Sequence, residues 1–207
     1  MYISTYEELA AFCGRARGFA AVAIDTEFLR ERTYHAKLCL VQVATPEECA
    51  VIDPLAIEDL APLADLMVDV DTLKVFHACS QDMEVLNHAL GVCPTPIFDT
   101  QVAAGFLGER AQCSYHNLVH SFCDVSLPKT ESLTDWSRRP LTPQQVEYAI
   151  DDVRYLIDAY RVIESKLHSL GRTAWVRDEI RPLADPAHYR SDPRSAFKRV
   201  KRVNSCT

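Results

Sequence analysis

The chain has no run of apolar residues approaching membrane-spanning length, so a bundle of membrane helices is not a reading it supports. It has no Cys-x-x-Cys pair among its eight cysteines. Its first residues lack the pattern of a signal peptide, because Glu7 and Glu8 come early and Arg15 and Arg17 interrupt the next stretch. Scattered cysteines without a secretory signal favour reduced thiols in a cytoplasmic protein over a disulfide framework. Internal repeats and low-complexity segments are also missing. An excess of positive charge is lacking too, with 22 Lys and Arg against 29 Asp and Glu, a net −7. Taken alone, that balance counts against a nucleic-acid binder.

What is present fits one globular domain. At 207 residues, 48% hydrophobic and 25% charged, the chain can bury a sizeable core. The charge is unevenly spread. Residues 190–207 carry +5, from Arg190, Arg194, Lys198, Arg199, Lys201 and Arg202 against Asp192, and residues 1–189 carry −12. We therefore divide the chain into a domain over 1–189 and a basic tail over 190–207. An acidic body with a basic tail suits a metal-dependent enzyme on a polyanion, since bound cations invert the local field. A solvated tail explains the same charges equally well.

The spacing predicts a helix over 5–13, then a buried strand through Phe19-Ala-Ala-Val-Ala-Ile24 that runs into Asp25-Thr-Glu27. Further strands are expected over 37–43 and 49–52, close enough in sequence to form an antiparallel meander with the first. A helix over 55–68, a strand over 73–77, a helix over 80–90 closed by Gly91, a brief strand at 97–98 and a helix capped by Asp99-Thr100 follow. The expected architecture is α/β: a mixed five-stranded sheet, built from the meander plus two βα units, flanked by helices.

Three groups of acids stand out. Asp25 and Glu27, at i and i+2 on a strand, point to one face, with Thr26 on the other. Two adjacent carboxylates at the edge of a core need protons, cationic partners or a metal ion, unless the strand has already ended in a solvated turn. Asp82 follows His77 at a strand end, in the first turn of a helix that Ser80 can cap. The dipole favours an acid there, and functional groups of open α/β sheets gather at the carboxyl ends of strands. The third group is on the helix that begins Thr142-Pro-Gln-Gln145, with Thr142 as N-cap, Pro143 at the first position and Gln145 completing a capping box. An apolar stripe continues through Val146, Ala149, Ile150, Val153, Leu156, Ile157 and Tyr160. On that wheel Asp152 flanks the buried face and Asp151 faces solvent. Tyr148 stands one turn before Asp152 on the same side, where its hydroxyl can hold a water or simply form a surface pair.

Asp25-x-Glu27, Asp82 after a His-Ala strand end, and Tyr148-x-x-x-Asp152 together resemble the DEDD exonucleases, in the subgroup with tyrosine as fifth residue. The stretch Lys129-Thr-Glu-Ser-Leu-Thr-Asp-Trp136-Ser-Arg-Arg-Pro-Leu141 is similar to ribonuclease D. The resemblance covers roughly residues 6–202 and implies a ribonuclease H-like exonuclease fold. It implies two Mg²⁺ or Mn²⁺ ions, with Asp25 bridging them, Glu27 and Asp152 on one and Asp82 supporting the other through water. Tyr148 would orient the attacking water. Hard cations want carboxylate oxygens, and a pair of them can stabilise both attacking and leaving oxygens of an in-line displacement.

The implied activity is a 3′→5′ exoribonuclease that releases nucleoside 5′-monophosphates from single-stranded RNA 3′ ends, tRNA 3′ processing included. No membrane and no obligate protein partner is implied. The alternatives are a 3′→5′ exonuclease on single-stranded DNA, since the acids do not sense the 2′-hydroxyl, and a catalytically inactive nucleic-acid-binding scaffold. The presence of all five side chains counts against the scaffold. Substrate-binding candidates are Phe28, His77, Trp136 and Arg138, each with a competing role: core packing for Phe28, a hydrogen-bonded structural histidine for His77, packing under the Tyr148 helix for Trp136, and a solvated loop for Arg138 and Arg139. Cys113, His116, His120 and Cys123 have the identities of zinc ligands. On one helix, however, the two cysteines would be about 15 Å apart, too far to share an ion. Members of the family usually continue into helical HRDC domains; this sequence stops at Thr207, as either a short family member or a truncated chain would.

Overall fold

The computed structural model describes residues 1–30, 35–128 and 135–189. The basic tail over 190–207 and the first six residues of the 129–141 stretch lie outside the described residues. A six-stranded sheet carries the fold, in the order β1-β4-β3-β2-β5-β6. Its strands are β1 (Tyr2–Ile3), β2 (Ala21–Leu29), β3 (Lys37–Ala44), β4 (Cys49–Ile52), β5 (Leu73–Phe76) and β6 (Ile97–Asp99). The helices are α1 (Tyr6–Ala16), α2 (Ala61–Val68), α3 (Ser80–Leu90), α4 (Thr100–Gly105), α5 (Tyr115–Cys123), α6 (Pro143–Arg154), α7 (Leu156–Ser169) and α8 (Thr173–Ile180).

The meander is antiparallel, as the short connections require, with β3 paired to both β2 and β4. β5 and β6 join in parallel, each reached through a helix. The sheet has one strand more than the five expected. β1 is two residues long, too short to show a period, and forms because Asp53 N–H and Val51 N–H donate to the carbonyls of Ile3 and Met1. One face of the sheet buries Val22, Ile24, Val41, Val43, Ile52 and Phe76 with α1, α2 and α3. The other buries Ala23, Ala44 and Val75 against α4, α5, α7 and α8, with Leu40 and Val51 under α6.

Local signals account for most helix ends. Thr5 accepts Glu8 N–H at the start of α1, Gly91 closes α3 at φ 70°, and the Thr142–Gln145 capping box is present in full. Two elements differ from expectation. Residues 55–60 precede α2 instead of belonging to it, because Asp53 folds that segment into a turn by accepting Leu55 N–H on its side chain and Ala56 N–H on its carbonyl. The single helix expected through Tyr160 breaks at Tyr155 (φ −104°, ψ 1°) into α6 and α7. Tyr155 N–H donates to the Tyr115 hydroxyl on α5, 3.3 Å away. A side-chain acceptor inserted at that point bends the helix without interrupting its apolar stripe.

Candidate active site

Asp25 and Glu27 lie within β2, not in a turn after it, so both point to the face of the sheet covered by α6. Thr26 points to the opposite face, and its hydroxyl donates to Asp82 Oδ1. Asp82 lies in the first turn of α3 and is 7% exposed. Ser80 is the first residue of that helix and caps nothing; the N-cap position belongs to Cys79, which makes no side-chain cap. The β5–α3 turn is instead held by Asp99. Its carboxylate accepts the N–H groups of Ala78 and Cys79 at 3.1 and 2.8 Å, and those of Gln101 and Val102 at 2.8 and 3.2 Å. Ala78 sits at φ 61°, a left-handed conformation unfavourable for a residue with a Cβ, and the Asp99 carboxylate offsets that strain.

Tyr148 and Asp152 project from α6 toward the same place, and the tyrosine hydroxyl hydrogen-bonds the Asp152 carboxylate. Burial and mutual repulsion dominate the electrostatics. Asp25 is raised well above the carboxylate range, first by burial, then by the charges of Asp82, Asp152 and Glu27. Burial, then Asp152 and Asp82, push Glu27 up to about 8. Asp82 rises to about 7 through burial, held back by the Thr26 hydrogen bond. Asp152 also rises to about 7 through burial, with His116 opposing and Asp151 adding to the shift. Burial and the same acids raise the Tyr148 phenol, which stays protonated at neutral pH. Four carboxylates from three elements thus share one field. Among the described residues none of the four forms a salt bridge.

Such a donor set fits hard divalent cations, which favour carboxylate oxygens and would cancel the repulsion. Among the described residues no three His, Cys, Asp or Glu side chains are already gathered in ligating contact. The acids are near enough to raise one another's pKa, while Thr26 and Tyr148 hold Asp82 and Asp152 by hydrogen bonds.

Asp151 does not face solvent. Its side chain is 19% exposed, pairs with Arg154 at 3.0 Å, and lines a small cleft with His116, Leu127, Pro128, Tyr148 and Asp152. The segment through Leu127 and Pro128 packs beside this face of α6, which a helical wheel cannot anticipate. His116 is the cleft residue that no local pattern places beside Asp152; it lies 36 residues upstream and reaches the Pro128 carbonyl at 3.1 Å.

The four substrate-binding candidates separate. Trp136 is buried at 6% exposure and stacks on Tyr148, with centroids 6.0 Å apart and planes at 25°. Its placement is the packing alternative, under α6, and leaves no open face for a base. His77 is half-buried, with Nδ1 3.0 Å from the Thr100 hydroxyl and Nε2 2.9 Å from the Cys113 carbonyl, so both ring nitrogens are engaged. That is the placement of a structural histidine. Phe28 is half-buried against the core, with the Arg30 guanidinium 5.4 Å from its ring centroid. Arg138 is 84% exposed and pairs only with Asp135, at 3.2 Å, which leaves its guanidinium open to a phosphate. Arg139 is committed elsewhere. Its nitrogens bond both oxygens of Asp53 at 2.6 and 2.7 Å and the carbonyls of Cys39, Trp136 and Arg138, anchoring the segment before α6 to the sheet.

Comparison with known proteins agrees with this geometry. A family model for 3′-5′ exonuclease matches residues 1–168. Ribonuclease D of Sphingobium indicum is 46% identical over 201 residues, covering 96% of this chain and 52% of its own length. The crystal structure of Escherichia coli RNase D, described as an exoribonuclease involved in structured RNA processing, superposes with a TM-score of 0.90 at 37% identity, over 96% of this chain and 53% of that one. Brucella melitensis NrnC with bound Mg²⁺ superposes at 0.78 with 28% identity, over 97% and 96% of the two chains. The same protein bound to pGG gives 0.75 and 29%, over 91% and 89%. The chain spans about half the length of the curated relatives it matches. With an exonuclease model matching most of its length and the acids of that family's pattern sharing one electrostatic field, the chain belongs to the 3′-5′ exonuclease family, in its ribonuclease D-like branch.

Proposed function

We propose that this chain is a metal-dependent 3′→5′ exoribonuclease that releases nucleoside 5′-monophosphates from single-stranded RNA 3′ ends. The observation that carries the reading is the convergence of Asp25 and Glu27 on β2, Asp82 on α3 and Asp152 on α6, all with raised pKa values and none in a salt bridge among the described residues. Asp25, Glu27, Asp82 and Asp152 would hold two Mg²⁺ or Mn²⁺ ions, in keeping with the Mg²⁺ bound by the related NrnC. When bound, such ions supply Lewis-acid stabilisation of the charge that develops on the scissile phosphate and the leaving oxygen.

Tyr148 keeps its proton, so its hydroxyl orients a water and does not abstract from it. Trp136, stacked on the Tyr148 ring, fixes the direction of that hydroxyl. Arg138 is a described cation exposed enough to meet RNA phosphate, and the basic residues of 190–207 would extend that contact along the backbone. Structured RNA, tRNA precursors included, is the natural substrate class on this reading, and the protein is cytoplasmic. Among the described residues no helix is long and apolar enough to cross a membrane, and all seven cysteines are unpaired.

The test offers single-stranded RNA and DNA, with free 3′ ends, blocked 3′ ends or as circles, with and without Mg²⁺ or Mn²⁺. Metal-dependent release of 5′-monophosphates from free RNA 3′ ends is expected. Equal cleavage of circles would sink the exonuclease reading, preference for DNA would reverse the sugar assignment, and no cleavage with either metal would leave a binding scaffold.

A further inference from the structure

Gln42 is fully buried in β3, and neither its side-chain nitrogen nor its side-chain oxygen has a hydrogen-bond partner among the protein atoms. A buried amide left unpaired gives up its hydration with no hydrogen bond in return, and an apolar side chain of similar length would fill the same space at no such cost. Its position is informative. In the β2–β3 ladder Gln42 is the residue opposite Asp25, and in the β3–β4 ladder it is opposite Val51. Opposite residues of an antiparallel pair lie side by side on one face, with Cβ atoms roughly 4.5–5.5 Å apart. That face is the one covered by α6, the helix of Tyr148 and Asp152. A carboxamide with both groups unused therefore stands beside Asp25, a buried carboxylate of the site.

We propose that Gln42 is a positioning residue for Asp25: its amide, unpaired and beside Asp25 on the same face of the sheet, turns to the Asp25 carboxylate and so fixes the orientation in which Asp25 meets a divalent cation. The proposal rests on the metal-binding reading of Asp25. In that arrangement Gln42 Nε2 donates directly to one carboxylate oxygen of Asp25. The opposite carboxylate oxygen is thereby left to the cation. Outer-shell contacts of this kind orient metal ligands, and their loss costs roughly 10–100-fold in metal affinity or activity.

Three proteins separate the outcomes: the parent, Gln42→Met and Asp25→Asn. Mn²⁺ binding is measured by calorimetry in the absence of RNA, alongside kcat and KM for RNA and the melting temperature of the metal-free protein. Gln42→Met removes an unpaired amide and keeps the side-chain length, so the metal-free protein should melt no lower than the parent. Its Mn²⁺ affinity should fall by roughly 10-fold or more, with kcat reduced and KM for RNA unchanged. A folded Gln42→Met variant with a parental Mn²⁺ isotherm overturns the proposal. Parental Mn²⁺ binding by Asp25→Asn would overturn the metal reading beneath it, a separate result. If Gln42→Met fails to fold, the side-chain ¹⁵N–¹H signals of Gln42 in the parent decide. They should shift on Mg²⁺ addition and lose that response in Asp25→Asn; signals indifferent to Mg²⁺ overturn the proposal.

Discussion

Asp151 and Asp152 are adjacent on α6 yet stand in different relations to the site. Asp152 shares the field of Asp25 and Glu27 and takes the Tyr148 hydrogen bond, whereas Asp151 is neutralised by Arg154. Asp152→Asn should lower kcat by about 10³-fold, the scale of losing one charge-stabilising group in a preorganised site. Asp151→Asn should stay within about twofold, because it removes a partly exposed ion pair. Steady-state rates on RNA with a free 3′ end decide, and equal losses would mean that Asp151 also meets the cation. Tyr148→Phe removes the hydroxyl but keeps the ring on Trp136, so we expect kcat to fall about 10²-fold with RNA affinity unchanged.

At the scale of elements, two carboxylates hold the site together without belonging to it. Asp99 gives its two oxygens to four backbone N–H groups across the β5–α3 turn and the start of α4. Asp99→Ala leaves those donors unpaired and should cost about 2–4 kcal/mol, a drop of several degrees in melting temperature. It should also lower turnover, because Asp82 follows that turn. Asp53 is the second. Burial opposes its charge, but the bidentate Arg139 and the Tyr2 hydroxyl outweigh burial and hold it below the ordinary carboxylate value. A carboxyl depressed in the folded state stabilises above its unfolded pKa, near 4, and that contribution is lost as pH falls through the lower folded value. Thermal unfolding of Asp53→Asn should therefore show a loss against the parent at pH 6 that narrows as pH drops through about 4 toward 2.

Across the whole molecule the four site acids have the opposite sign. Their pKa values are raised in the folded chain, so protonated acids fold without penalty below about pH 4, and stability is lost as pH rises through about 7 to 8. The metal-free protein should thus melt at a lower temperature at pH 8 than at pH 5.5. Mg²⁺ or Mn²⁺ at about 100 times its dissociation constant should return about 2.7 kcal/mol at pH 8, and much less at pH 5.5, where protons compete for the same oxygens. A melting temperature indifferent to metal at pH 8 would count against the four acids as its site.

The amino-acid sequence by itself determined what depends on near neighbours along the chain. The apolar run before Asp25 makes β2, the Thr142–Gln145 box starts α6, and the two- and four-residue spacings of Asp25–Glu27 and Tyr148–Asp152 set which side chains share a face. What joins residues far apart was decided only by tertiary structure. The break at Tyr155 is hidden because the apolar stripe stays in phase across it and the acceptor comes from Tyr115. Along the chain Trp136 is open between stacking on a base and packing under α6, and Arg139 between phosphate and a solvated loop; the meeting of α6 with the sheet buries the one and ties down the other. Asp151 and His116 took their places when the segment at Leu127 and Pro128 packed beside α6. Gln42 looks like any polar residue of a strand, and only the register that sets it beside Asp25 and the helix that buries it give its amide a purpose. Periodicity fixes faces, but burial and charge belong to pairs of surfaces, and no single segment carries both.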